Sequence, residues 1–158
     1  MNRRRAIAVL ALLGVLDSVY LLLAKLGYIG SLSCTVSHDC DLVNASRYSV
    51  FLGMPVSGIG VVGYVALFAI AIVGLQPRWL NDVRPDKLLA LLSGVAVLFT
   101  LYLTYAEILW LHAICQWCVI SQIVIVAILV LAVVGIMKAG KAGVGSGTAD
   151  SRQPSLDV

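Results

Sequence analysis

Residues 114–137 read ICQWCVISQIVIVAILVLAVVGIM, a Cys-x-x-Cys motif running into an apolar stretch that carries no charge. A helix needs about 20 predominantly apolar residues to cross a bilayer, so this stretch is a membrane span with two cysteines at one lip. Three further runs have the same character: Ala6–Tyr28, Val56–Leu75 and Leu88–Leu111. In lipid every backbone donor and acceptor must be satisfied within the segment, so each run is expected to be a helix. The composition agrees, with 61% hydrophobic and 12% charged residues, against roughly 25% charged in a soluble domain.

The expected fold is therefore an all-α integral membrane protein, a four-transmembrane-helix bundle with a long extracytoplasmic loop between helices 1 and 2. Residues 1–137 form one membrane domain, and residues 138–158, rich in Gly, Ser and polar side chains, read as a disordered cytoplasmic tail.

The net charge of +3 reflects orientation rather than an acidic partner, and no nucleic-acid surface is expected. Arg3, Arg4 and Arg5 precede the first span, Arg78, Arg84 and Lys87 lie between the second and third, and Lys138 and Lys141 follow the fourth. The positive-inside rule places these segments, and both termini, in the cytoplasm. The Tyr28–Pro55 loop and the connection around His112 then face outward, carrying Arg47 with Lys25 nearby at a helix end. All four cysteines lie on that outer side. Arg3–Arg5 followed by AIAVLALLGVL imitates a signal peptide, but the apolar stretch runs on to Leu26 with no A-x-A site, so a retained helix is expected.

The loop is long where the others are short, and long ordered loops tend to carry function. Within it, NASRYSVF is expected to lie flat as a short interfacial helix, and Gly53 and Pro55 to start the second span. Gly58, Gly60 and Gly63 on that span are read first as close-packing residues, with a ligand groove as the other reading. QPRWLNDVRPDK is a plain turn between antiparallel helices.

Four cysteines on the oxidising side make two functional pairs. Cys115 and Cys118 stand at the outer N-terminal end of the fourth span, where unpaired amides and the helix dipole stabilise a thiolate. That setting favours reversible disulfide chemistry. Cys118 lies roughly 4–5 Å deeper than Cys115, at 1.5 Å per residue, and is better placed to meet a lipid-soluble acceptor. Cys34 and Cys40, in SLSCTVSHDCD, sit in an aqueous loop suited to exchange with a soluble dithiol. Two pairs in series relay electrons through mixed disulfides without metal or flavin.

With these features the chain resembles the bacterial members of the vitamin K epoxide reductase family over about residues 6–137. The matching elements are Cys34-x5-Cys40, Ser46 six residues later, VFLGMP at Val50–Pro55, and CQWCVIS at Cys115–Ser121. The resemblance implies that Cys34 receives electrons from a thioredoxin-fold partner, that Cys40 exchanges with Cys115, and that Cys118 engages a quinone. It also implies that Ser46 orients the relay or the quinone, and it makes Phe51 and Trp117 candidate quinone contacts. Many bacterial relatives carry a fused thioredoxin-like domain after the fourth helix. Here a short tail stands there instead, which implies a separate, DsbA-like periplasmic partner in the bacterial inner membrane system. Two positions depart from the vertebrate pattern: Gln122 stands where tyrosine is found, and Val56 where a quinone-contacting asparagine is found. The acceptor implied is thus an ordinary respiratory quinone, menaquinone or ubiquinone, rather than vitamin K epoxide.

Other polar residues have two readings each. Asp17, near the middle of the first span, is a neutral or paired structural carboxylate or a functional one. Glu107, level with the Cys-x-x-Cys, handles a proton during quinone reduction or faces water. His38 either lowers a neighbouring thiol pKa or is a solvated loop residue, and His112 precedes the Cys-x-x-Cys closely enough to activate Cys115. Trp110 reads as an interfacial anchor, and Trp117 as an anchor or a stacking ring. Asn44-Ala45-Ser46 is formally a glycosylation sequon. The competing functions are a zinc- or copper-binding protein using Cys34, His38, Cys40, His112, Cys115 and Cys118, and a membrane protein stapled by two structural disulfides. The enzyme reading expects no metal.

Overall fold

The computed structural model describes residues 2–30, 32–34, 40–46, 49–79, 82–112 and 114–145. His38, Asp39 and Arg47, and residues 146–158 of the expected tail, lie outside the described residues. Four long helices carry the chain through the bilayer: α1 (Asn2–Lys25), α3 (Val56–Gly74), α4 (Arg84–Ala106) and α5 (Gln116–Gly145). Each contains a stretch long and apolar enough to span a membrane. A short helix, α2 (Cys40–Ala45), and a two-strand hairpin, β1 (Val50–Phe51) with β2 (Met54–Pro55), lie between α1 and α3. The helices pack as a ring in which α1 meets α3 and α5, and α4 meets α5 and α3. The protein is a multi-pass membrane protein, and most of its large apolar side chains outside the core are exposed, as a lipid-facing surface requires.

The helix ends have local causes. α1 stops at Lys25 rather than Tyr28 because Gly27 adopts a left-handed φ of 80°. The Tyr28 N–H then donates to the Leu23 carbonyl and the Gly27 N–H to the Ala24 carbonyl, the paired bonds of a Schellman ending. α3 starts directly after Pro55, whose φ of −64° suits the entry. At the other end of the chain α5 runs to Gly145, eight residues beyond Met137, so the expected disordered tail is corrected for residues 138–145. Nothing in KAGKAG forbids helix, and Ala and Lys are good helix formers.

The interfacial helix expected over NASRYSVF is also corrected. The helix comes earlier, at α2, and Ser46 lies at its end, its hydroxyl donating to the Val43 carbonyl at 2.7 Å. Such side-chain bonds to the backbone compete with continued helix. Val50–Phe51 instead pairs with Met54–Pro55 around Leu52 and Gly53, at φ 51° and 81°, the two-residue turn that matches strand twist.

The core is built from small residues as much as large ones. Ala8, Ala11 and Ala71 are buried with Ile7, Tyr64, Leu67, Leu89, Ile125, Ile128 and Ala132. Gly14 continues the small stripe of α1, and a Cβ there would stand 2.3 Å from the Tyr64 ring. That ring is tethered, because the Tyr64 hydroxyl donates to the Ser121 carbonyl on α5 at 2.9 Å. Gly14→Ala is therefore expected to destabilise the bundle by about 1–3 kcal/mol, the usual range for overpacking, read as a lower unfolding temperature in detergent. Conversely, Tyr64→Phe should leave the fold intact while losing the two contacts of its hydroxyl, with the Ser121 carbonyl and the Ser121 hydroxyl.

The connection between α3 and α4 is more than a plain turn. Arg4 on α1 is 6% exposed and donates to the carbonyls of Trp79 and Asp82, each at 2.7 Å, and of Gly74. Its Nε pairs with Asp86 at 3.2 Å, and Arg3 reaches the same carboxylate at 2.8 Å. One guanidinium thus satisfies the open carbonyls at the end of α3 and neutralises the carboxylate in the first turn of α4.

Candidate functional site

One end of the bundle gathers all four cysteines. Cys115 immediately precedes α5 and acts as its cap: its Sγ accepts the Cys118 N–H at 3.4 Å, and its carbonyl accepts the Val119 N–H at 3.1 Å. Cys115 thus stands at the N-terminal end of α5, beside the open amides of its first turn. Cys40, at the start of α2, is buried beside it. Cys40 and Cys115 are each 1% exposed and share one cluster with Leu21, Leu32 and Val43, against which Cys34 and Cys118 pack. Cys34 and Cys40 form a disulfide, with Cα atoms 6.4 Å apart, while Cys115 and Cys118 are free thiols.

Beneath the cluster lies a cavity of about 670 Å³ between α3 and α4. Cys115, Cys118 and Glu107 stand at its outer end, and Leu67 and Leu91 line its inner reach. From Glu107 to Leu91 is 16 positions on one helical path, about 24 Å at 1.5 Å per residue. Most of the wall is apolar, supplied by Ile59, Val95, Phe99 and Leu103 among others. Polar side chains interrupt the apolar wall, among them Ser46 and Ser49 from the roof, Thr100 and Thr104 from α4, and Tyr64, Ser121 and Gln122 from α3 and α5.

The roof is the segment between α1 and α3. Lys25 donates to the Asn44 carbonyl and the Ser49 hydroxyl, each at 2.6 Å, and the Asn44 amide donates to the Leu21 carbonyl. Phe51 meets Phe99 edge-on at 5.4 Å. These contacts hold the hairpin over the cavity mouth. They also engage the amide of the formal glycosylation sequon.

Of the residues singled out from sequence, Ser46, Phe51, Glu107, Cys115 and Cys118 all line the cavity, as do both departures, Val56 and Gln122. Glu107 is 8% exposed and faces the Cys118 thiol and the Cys115 backbone, so it does not face water. Trp117 is not on the cavity wall: its ring packs against Tyr20 at 5.1 Å and its Nε1–H donates to the Ser33 carbonyl at 3.1 Å. His112 is exposed, at φ 51° after the π-helical turn Glu107–Leu111, with no hydrogen bond to either neighbouring cysteine among the described residues. Trp110 is 62% exposed, as an anchor at the membrane face is. Asp17 is buried beside Ser121 with neither oxygen in hydrogen-bonding geometry and no ion pair among the described residues.

The three glycines of α3 divide. Gly58 and Gly60 face Leu22 and Ser18 of α1, whereas a Cβ on Gly63 would meet nothing within 4 Å. Gly63 opens into the cavity. Tyr64, Ser18 and Ser121 were missed as cavity residues; a lone tyrosine and two serines within apolar spans were the available signal. Lys25 entered only as a charge near a helix end, although a lysine there without a neighbouring acid hinted at backbone partners.

A disulfide and a dithiol packed together at the lip of a four-span bundle, above an apolar cavity, define a polytopic membrane protein with a redox-capable cysteine cluster. The model of the Vitamin K epoxide reductase family matches residues 5–133. The chain belongs to that family, whose members are membrane oxidoreductases that work through cysteines and quinone-type cofactors.

Proposed function

We propose that the protein oxidises a separate DsbA-like thioredoxin-fold protein outside the bacterial inner membrane and passes the electrons to menaquinone or ubiquinone, in support of disulfide-bond formation. The observation that carries this reading is the burial of Cys40 against Cys115, with Cys118 exposed to the cavity. The partner's dithiol reduces the Cys34–Cys40 disulfide and leaves oxidised. The Cys40 thiolate then attacks Cys115 of an oxidised inner pair, Cys118 departs as thiolate, and Cys34 displaces Cys115 to restore the outer disulfide. Two electrons have moved inward, and the inner pair holds them as the dithiol.

A bound quinone supplies two-electron, two-proton oxidising capacity. Cys118 presents its sulfur to the cavity, and Glu107 stands beside it to hold a proton released as the inner disulfide forms. Ser46 and Phe51 close the mouth, and the apolar length toward Leu91 suits an isoprenoid tail.

The test is to mix purified protein with a reduced thioredoxin-fold partner and a soluble quinone and follow quinone absorbance. Turnover requiring both is expected; turnover with no dithiol of any kind present, or no quinone consumption, would defeat the proposal. Gly63→Leu probes the cavity. Its side chain enters open space, so the unfolding temperature should hold while KM for a long-tailed quinone rises about tenfold, equivalent to roughly 1.4 kcal/mol of lost binding. Comparison with a tail-less quinone locates the effect along the cavity.

A further inference from the structure

The strand leading into Cys34 is held by contacts that involve no sulfur. The Ser33 N–H donates to the Tyr20 hydroxyl at 3.1 Å, and the Ser33 carbonyl accepts the Trp117 Nε1–H at 3.1 Å. The two rings that supply these groups are packed together, with centroids 5.1 Å apart and planes at 60°. One residue earlier, the Leu32 N–H donates to Asp41 Oδ1 at 2.9 Å, and the Leu32 side chain is buried beside Cys40 and Cys115. The anchors come from three elements: α1, α5 and α2. Trp117 lies between the two cysteines of the inner pair, so the ring that grips the loop moves with the sulfurs the loop must meet.

We propose that Tyr20 and Trp117 are positioning residues that keep the Leu32–Cys34 strand docked over Cys115 while the Cys34–Cys40 disulfide is open; this rests on the relay reading above. During each turnover the covalent tie between Cys34 and Cys40 is broken, and the loop would otherwise gain the freedom of an unconstrained segment. The rate of an exchange between two thiol sites depends on the effective concentration of one at the other, which falls when a linker is released. None of the clamp bonds uses Cys34 or Cys40, so reduction leaves them in place. Cys34 then stays near to resolve the Cys40–Cys115 mixed disulfide, and Asp41 keeps Cys40 beside the same strand.

Trp117→Phe keeps a ring against Tyr20 and removes the N–H; Tyr20→Phe keeps the ring and removes the hydroxyl. Each loses one hydrogen bond, on the order of 1 kcal/mol, so quinone reduction driven by the thioredoxin-fold partner should slow about threefold to tenfold. The comparison is turnover driven by dithiothreitol in a Cys34→Ser/Cys40→Ser background, where the inner pair is the sole entry point and neither substitution should matter. As a second reading, a Cys34→Ser/Cys118→Ser protein retains Cys40 and Cys115 alone, and the yield of their cross-link under mild oxidant should fall when Trp117→Phe is added. Equal slowing with both donors would place Trp117 in the inner-pair chemistry and overturn the clamp. So would unchanged partner-driven turnover with an unchanged cross-link. A wild-type protein that reduces no quinone from either donor would instead sink the relay reading, and the cross-link would still decide the clamp.

Discussion

Replacing Cys118 with serine is expected to bring quinone reduction down to the uncatalysed rate, a loss on the order of 10³-fold or more, as removal of a group that acts as one unit with others typically costs. A hydroxyl cannot join Cys115 in the disulfide whose formation releases two electrons from the inner dithiol, and Cys118 is the inner-pair cysteine whose thiol faces Glu107. Cys115→Ser should be equally inactive. Cys34→Ser and Cys40→Ser should differ from these, losing turnover with a protein dithiol while keeping part of the turnover driven by dithiothreitol, which reaches the inner pair directly. Quinone absorbance follows all four proteins. Undiminished turnover in Cys118→Ser would remove the inner pair from the chemistry and leave it a structural feature.

The second large effect is structural and lies at the opposite membrane face. Arg4→Ala should destabilise the protein by about 3–5 kcal/mol, the cost of breaking a buried ion pair by removing one partner. Asp86 is 2% exposed and would keep only the partly exposed Arg3, while the carbonyls of Gly74, Trp79 and Asp82 would lose the Arg4 donor, Trp79 keeping the Asp82 N–H. Arg4→Lys should recover little, because an ammonium cannot reach several acceptors in the planar fork that a guanidinium fills. Arg5→Ala is the discriminating control. Arg5 is exposed, so if these arginines act only as cytoplasmic charge the two alanine variants should behave alike. Thermal unfolding in detergent, measured on both, should show a large shift for Arg4→Ala and little for Arg5→Ala.

The contrast between Arg4 and Arg5 shows what a linear reading can reach. Neighbours in an arginine triplet are equivalent by the positive-inside rule, which counts charge near a span. Burial separates them, and burial depends on the connection between α3 and α4 folding back onto α1. Trp117 is a parallel case. An aromatic between two redox cysteines reads equally as a quinone-stacking ring or an anchor, and it turned instead toward Tyr20 and the loop. The partner it met lies 84 residues earlier in the chain, and no local pattern encodes that distance.

The hairpin at Val50–Pro55 was unreadable for another reason. Its turn places Leu52 at positive φ, a conformation costly for a branched side chain and therefore not expected at a leucine. The roof contacts of Phe51 and the Lys25 bonds hold it there. Gly58, Gly60 and Gly63 likewise read first as packing residues, and only the position of α1 separated Gly58 and Gly60, whose Cβ positions meet neighbouring side chains, from Gly63, where a Cβ has open space; Gly60 and Gly63 both border the cavity.

What the sequence alone determined is the set of properties that depend on local composition and spacing. The lipid solvent demands internally satisfied backbone, so apolar runs of sufficient length are helices, and the Cys-x-x-Cys spacing sets Cys115 and Cys118 at the end of one of them. What the tertiary structure decided is everything that depends on which helix stands beside which. It buried Cys40 against Cys115, turned Glu107 toward Cys118, gave Arg4 its carbonyls, and left space between α3 and α4 for an apolar ligand. Lipid is as apolar as the helices themselves, so hydrophobicity drives insertion but does not select neighbours. That selection falls to small residues such as Gly14 and Ala11 and to a handful of buried polar contacts, whose partners lie far apart in the chain.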